Sequence, residues 1–234
     1  MSDASSDAAM AVPPMQPYPL PRAGPRGDLL RVAIQAASDT AYEGWDALPE
    51  LLVRLIAEDR ERAGRLLGDP DRRIRRFVTM ALADVDDAWA PELLAEAVAD
   101  AEPEIRALAA ESAQRWYDDH PGNEVLPLLQ QRVPALLEDP CEEVRLCVAG
   151  AVARLGGEAG MARLVDCFAA ADEVLRGEIL GALALYGHYP LVWRLAGAYA
   201  SDERSPYLVR LLQRLAEADP RSGRQREADM GAGE

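Results

Sequence analysis

Three cysteines, two histidines and a dense run of carboxylates are the residues of this sequence with the most reactive chemistry to offer. Glu138, Asp139, Glu142 and Glu143 stand beside Cys141 and Cys147 in the stretch LLEDPCEEVRLCVAGAVARLG, residues 136–156. The residue types suit a metal, but the spacing does not. Cys141 and Cys147 are too far apart for a zinc knuckle, and no second Cys or His pair accompanies them. A cysteine nucleophile needs a base or an electropositive neighbourhood. Cys141 has Glu142 and Glu143 beside it instead, and reads as a turn residue. Cys147 and Cys167 read as small buried apolar residues. His120-Pro121 and His188-Tyr189 supply no repeated ligand pair. The expectation is therefore no catalytic residue, no metal and no cofactor.

Charge narrows the partners. All 25 basic residues are Arg, as in proteins of GC-rich bacterial genomes, against 40 acidic residues, for a net charge of −15. Nucleic-acid affinity is supplied largely by clustered Lys and Arg, so an acidic chain points away from a phosphate backbone and suits a cationic protein, a metal ion or simple solubility better. The few cysteines and the lack of a signal-peptide pattern lead to the expectation of a cytoplasmic protein, and no apolar run approaches the roughly 20 residues of a membrane span.

The elements that must position any site are helical. Leu51, Leu52, Leu55 and Ile56 fall on one helix face, and the same stripe recurs in EVLPLLQQRVPALLED. No period-two alternation is sustained, which predicts an all-α fold. Residues 1–27 contain six prolines and are expected to be a disordered arm whose PPMQPYPLP segment suits polyproline II. Residues 28–218 form the expected folded domain. Residues 219–234, polar and Gly-rich, are expected to be a flexible tail.

Self-similarity organises the domain. EDPCEEVRLCVAGAVARLG is echoed by GDPDRRIRRFVTMALADV and ADAEPEIRALAAESAQRW, and more weakly by segments starting at Ala170 and Ser201. Anchored on Ile74, Ile105, Val144, Leu175 and Val209, the steps are 31, 39, 31 and 34 residues, room for two helices per unit. Asp precedes Arg by six in three units: Asp69 and Arg75, Asp100 and Arg106, Asp139 and Arg145. The Asp is expected to cap the following helix, with Pro70 and Pro140 in its first turn. Phe77, Leu108 and Cys147 share one column; Val78, Ala109, Val148 and Ile179 share the next; Ala81, Ser112, Ala151 and Ala182 make a column of small residues. Both apolar columns are expected in the core.

These units resemble HEAT repeats over about residues 59–217. The resemblance implies a right-handed α-solenoid of about five helix pairs, with helices near 28–38 and 46–57 as an N-terminal cap. It also implies that Asp and Arg form a ladder between stacked units. Some HEAT-like proteins are enzymes: di-iron hydroxylases, whose His-Glu pairs are missing here; excisers of alkylated bases, whose basic groove this acidity opposes; and bilin lyases, the alternative retained by fold analogy.

The connections between units, DVDDAWAPE, WYDDHPGNE and YGHYPLVW, gather aromatic residues and carboxylates on what a solenoid would make one edge. Asp86, Asp87, Trp89, Trp116, Tyr117, Asp118, Asp119, His120, Tyr186, His188 and Tyr189 are therefore the expected partner-binding residues, suited to stacking on and pairing with an Arg- or Lys-rich surface. Trp89 and Trp193, in first helices, are expected to be more buried than Trp116 and Tyr117. The resulting expectation is a non-catalytic interaction scaffold that binds a basic protein through a concave face or through this edge, such as a cationic enzyme restrained by an immunity-type inhibitor.

Overall fold

The computed structural model describes residues 53–54, 56–198, 206–221 and 223–231. The expected arm and the expected capping helix at 28–38 lie outside these residues. Of the helix expected near 46–57, residues 53, 54, 56 and 57 are described and are helical.

The described residues form helices joined by turns and short loops, with no strand among them. The order is α1 (Arg60–Leu67), α2 (Arg72–Leu82), α3 (Ala90–Ala97), α4 (Pro103–Asp119), α5 (Pro127–Ala135), α6 (Glu142–Cys147), α7 (Ala149–Leu155), α8 (Gly157–Ala170), α9 (Glu173–Leu185), α10 (Tyr189–Ala198), α11 (Pro206–Ala218) and α12 (Gly223–Gly231). Local chemistry marks the boundaries. Asp59 caps α1 by accepting the Arg62 N–H at 2.9 Å, and Asp172 caps α9 through Leu175 N–H at 2.9 Å. Pro134 removes a donor near the end of α5, and the chain tightens into a 3-10 turn at Leu136–Glu138. α9 ends where Gly187 takes φ +76° and the His188 N–H reaches back to Leu183 O at 2.8 Å, a Schellman closure that a side chain at Gly187 would strain.

The helices form a two-layer α-solenoid. α1, α3, α5 and α8 neighbour one another in one layer; α2, α4, α6–α7 and α9 stack in the other, each packed on its partner. The columns show how the repeat builds the core between them. Val78, Ala109, Val148 and Ile179 are fully buried, and Ala81, Ser112, Ala151 and Ala182 are buried where second helices approach. Each large side chain removed from water here contributes roughly 1.5–3 kcal/mol. The first column departs from expectation. Phe77 is buried, Leu108 half-buried and Cys147 exposed. That register faces outward from the second-helix layer, so Cys147 is a surface residue and not a core one. Cys167 is half-buried and packs on the core.

The Asp–Arg ladder is present in two rungs. The Arg75 fork grips Asp100 at 2.8 and 3.1 Å, and the Arg106 fork grips Asp139 at 2.7 and 2.8 Å. The remaining nitrogen of each Arg donates to the main chain of its own unit, to Asp69 O at 2.8 Å and Asp100 O at 2.9 Å. The Arg106 guanidinium holds the Asp139 carboxyl below its ordinary pKa. The Asp residues do not cap as expected. Each stands two residues before the N-cap and accepts that residue's N–H: Asp69 from Asp71, Asp100 from Glu102, Asp139 from Cys141, at 2.8, 2.8 and 2.9 Å. Pro70 and Pro140 consequently precede their helices, and Pro103 takes the first-turn place in α4.

Within the stretch expected to be a flexible tail lies α12 (Gly223–Gly231), which packs on α10. Its anchor is polar. The buried Asp219 carboxylate accepts from Trp193 Nε1 at 2.7 Å and from Arg221 at 2.9 and 3.1 Å, while Arg221 also pairs with Asp229 at 2.7 Å. Gly197 lets the two helices touch, since a Cβ there would come within 2.8 Å of Met230 Cα. A chain whose docking depends on one carboxylate and one glycine carries little apolar periodicity to announce it.

Candidate functional site

The unit connections form a continuous network across three successive units. Trp116 is only 3% exposed, and its indole N–H donates to Val85 O of the preceding unit at 2.8 Å. Its ring stacks on His120 at 4.2 Å and meets the Tyr117 ring edge-on at 5.0 Å. Tyr117, 1% exposed, accepts the Leu126 N–H at 3.1 Å, and burial pushes its phenol up in pKa. Nδ1 of His120 lies 2.7 Å from Trp116 O and Nε2 lies 2.8 Å from Asp86 Oδ1. These acceptors, the Trp116 carbonyl first and then Asp86, raise the histidine's pKa.

Farther along, Asp118 receives Arg154 Nε at 2.7 Å and the Tyr186 hydroxyl at 3.0 Å, while Arg154 also donates to Tyr117 O at 2.7 Å. Burial and then the Asp118 carboxylate push the Tyr186 phenol up to about 12. Asp84 and Arg115 pair at 2.7 Å in the same region.

The structure thus brings together Asp86, Trp116, Tyr117, Asp118, His120 and Tyr186, but as a tie between repeats. Trp116 and Tyr117 are core, reversing the expected order with Trp89, which is half-buried at the start of α3. Trp193 is buried as expected. His188 closes the α9 turn, and Tyr189 lies beneath Arg221 at 5.6 Å with its hydroxyl on Ala218 O at 3.4 Å. Asp87 and Asp119 are exposed and carry no ion pair among the described residues. A partner at this edge would therefore meet spent hydrogen-bonding groups and isolated carboxylates.

A different surface has unspent chemistry. Two adjoining cavities of 430 and 560 Å³ run along the outer face of the second helices, meeting at Glu111 and Cys147. Their floor includes Ala107, Leu108, Val174 and Leu185; Glu104, Glu111, Glu143 and Glu178 stand around them. Leu185 is 71% exposed and Val174 54%, large apolar side chains presented to water beside carboxylates. Arg76 pairs with Glu104 at 2.7 Å, whereas Glu111 and Glu178 have no cation within ion-pair distance among the described residues. Burial raises the Glu111 carboxyl. Burial and then Glu111, Glu178 and Glu143 raise the Cys147 thiol, which disfavours the thiolate a nucleophile needs.

Sequence reasoning passed over this groove, although the columns contain a trace of it. The register of Phe77, Leu108 and Cys147 continues into Glu178, and the register of Arg115 and Arg154 continues into Leu185. A core column does not end in glutamate, nor an ion-pair column in an unpaired leucine.

Among the described residues no group of three His, Cys, Asp or Glu is placed to hold a metal, and no helix is long and apolar enough to cross a membrane. No curated protein matches the chain. The family model for HEAT repeats matches residues 90–184, from the start of α3 into the last turn of α9. Over this segment, where the helix pairs stack and Arg–Asp rungs join them at the repeat interval, the chain is similar to HEAT repeats.

Proposed function

We propose that the chain is a non-catalytic scaffold whose second-helix groove holds a basic, amphipathic segment of a partner protein. HEAT repeats form helical scaffolds often used for protein interaction, and the basic partner is the reading of this particular groove. The observation that carries it is the pairing of exposed Leu185 and Val174 with Glu111 and Glu178, an apolar strip bordered by uncompensated carboxylates. An amphipathic helix bearing Leu on one flank and Arg on the other meets both needs, the mode by which helices lie in grooves. The net charge of −15 would speed its arrival. A cationic enzyme restrained by the complex is one partner of this chemistry.

Fluorescence anisotropy with a labelled amphipathic Leu/Arg peptide tests the reading. Binding should weaken with salt, and Leu185→Ser and the pair Glu111→Gln, Glu178→Gln should each weaken it about tenfold. Asp87→Ala and Asp119→Ala at the unit edge should leave it unchanged. Binding indifferent to the groove variants, or lost with the edge variants, would refute the assignment.

A further inference from the structure

Arg145 occupies the ladder column of Arg75 and Arg106 and makes their main-chain bond, Nη1 to Asp139 O at 2.7 Å. The next unit offers its fork nothing. Asp100 and Asp139 stand two residues before the N-caps Glu102 and Cys141; α9 is capped by Asp172, and two residues before it stands Ala170. Asp172 spends its carboxylate on its own helix, through Leu175 N–H at 2.9 Å. Among the described residues no carboxylate lies within ion-pair distance of Arg145. In its place is a cavity of 580 Å³ lined by Arg145, Arg163, Glu138, Asp166, Cys167 and Ala170 among others.

We propose that this rung is a carboxylate-binding site: the Arg145 fork takes from a ligand the carboxylate that Asp100 and Asp139 supply within the chain. The two complete rungs define the geometry a ligand has to copy, with oxygens 2.7–3.1 Å from Nε and Nη2. The anchored Nη1 holds the fork in one orientation, so the guanidinium plane is set before the ligand arrives. Arg163 and Glu138 pair at 3.8 Å, and Asp166 offsets the charge of Arg145. The local charge therefore sums to zero, and recognition rests on the planar fork, which gives modest affinity and selects carboxylate over a spherical anion. The carboxylate has two sources of identical chemistry, a free dicarboxylate or an acidic side chain of a bound protein.

The test follows the Arg145 Nε–H signal by NMR in the full chain with isotope-labelled arginine, titrated with succinate and, separately, with an end-blocked peptide containing one Glu. A saturable shift at Arg145 in the millimolar range is expected. It should weaken about tenfold or more in Arg145→Lys, which keeps the charge and loses the fork. It should vanish in Ala170→Asp, which completes the rung internally and raises the melting temperature by a few degrees. Response to succinate identifies a small-molecule site, and response to the peptide alone a protein contact. Failure of both probes to shift Arg145, or an unchanged response in a folded Ala170→Asp variant, overturns the proposal.

Discussion

The rung between Arg106 and Asp139 gives the sharpest quantitative expectation. Two charge-assisted bonds of 2.7 and 2.8 Å join side chains that are only 14% and 5% exposed, so little solvent screens them. Removing Asp139 deprives Arg106 of its carboxylate and Cys141 of the acceptor for its N–H at 2.9 Å. Arg106 keeps its bond to Asp100 O, which limits the loss. Breaking a buried pair costs 3–5 kcal/mol; with that retained bond and some access to water, Asp139→Ala should cost about 3 kcal/mol. At a urea slope of about 2 kcal/mol per molar, the unfolding midpoint falls by about 1.5 M.

A double-mutant cycle with Arg106→Ala isolates the pair from the lost turn, and its coupling should come to about 2 kcal/mol. The same cycle on Asp118 and Arg154, 39% and 25% exposed, should give no more than about 1 kcal/mol. Equal couplings for the two pairs would sink the reasoning, because burial is the only reason given for the difference. The sign with pH is also determined. The depressed Asp139 pKa means its contribution is complete above the ordinary carboxylate range near 4 and is lost as pH falls below it.

Three further outcomes can be checked. Gly197→Ala should push α12 off α10, costing about 1–3 kcal/mol and exposing residues 219–231 to protease, while resistance like the parent's would contradict the close approach at Met230. Asp219, held at about 2 by Arg221 against the cost of burial, should keep α12 docked above about pH 4 and release it as pH falls toward 2; Trp193 fluorescence reads this, and a transition near neutral pH would contradict it. Trp116→Phe leaves the buried Val85 carbonyl without its donor and should destabilise the chain by about 1–2 kcal/mol in urea melts, whereas Trp89→Phe, which has no such bond, should cost less.

Periodicity made the helices and the repeat legible, since both depend on residue types recurring at fixed intervals, and the resemblance to HEAT repeats supplied the ladder. Val78, Ala109, Val148 and Ile179 are buried together because one register meets one environment in every unit. Departures from the repeat were harder to see. Cys147 was read from Phe77, yet that column passes outward into Glu178, so a type average concealed a surface. Trp116 and Tyr117 look like an aromatic edge because they border Asp118 and Asp119, but their polar atoms close onto the Val85 carbonyl and the Leu126 amide. Nothing in local sequence reports a bond to a main-chain atom of another segment. The α12 docking escaped for the same reason: Asp219 and Gly197 act through geometry, and the surrounding residues lack an apolar stripe.

Three of the second helices, α2, α4 and α6–α7, are fastened to one another near both ends. Arg75–Asp100 and Arg106–Asp139 tie them where they begin, and Asp84–Arg115 and Asp118–Arg154 where they finish. Mechanically this makes a riveted plate of those three: they cannot slide past or splay from one another without drawing a rivet. Elastic bending of the stack must then be taken up by the first-helix layer, as the outer leaf of a laminated spring stretches over a stiff backing. The part of the groove along α2, α4 and α6–α7 keeps its width while the stack flexes, whereas the part against α9, where the Arg145 rung is incomplete, is free to adjust to an incoming chain.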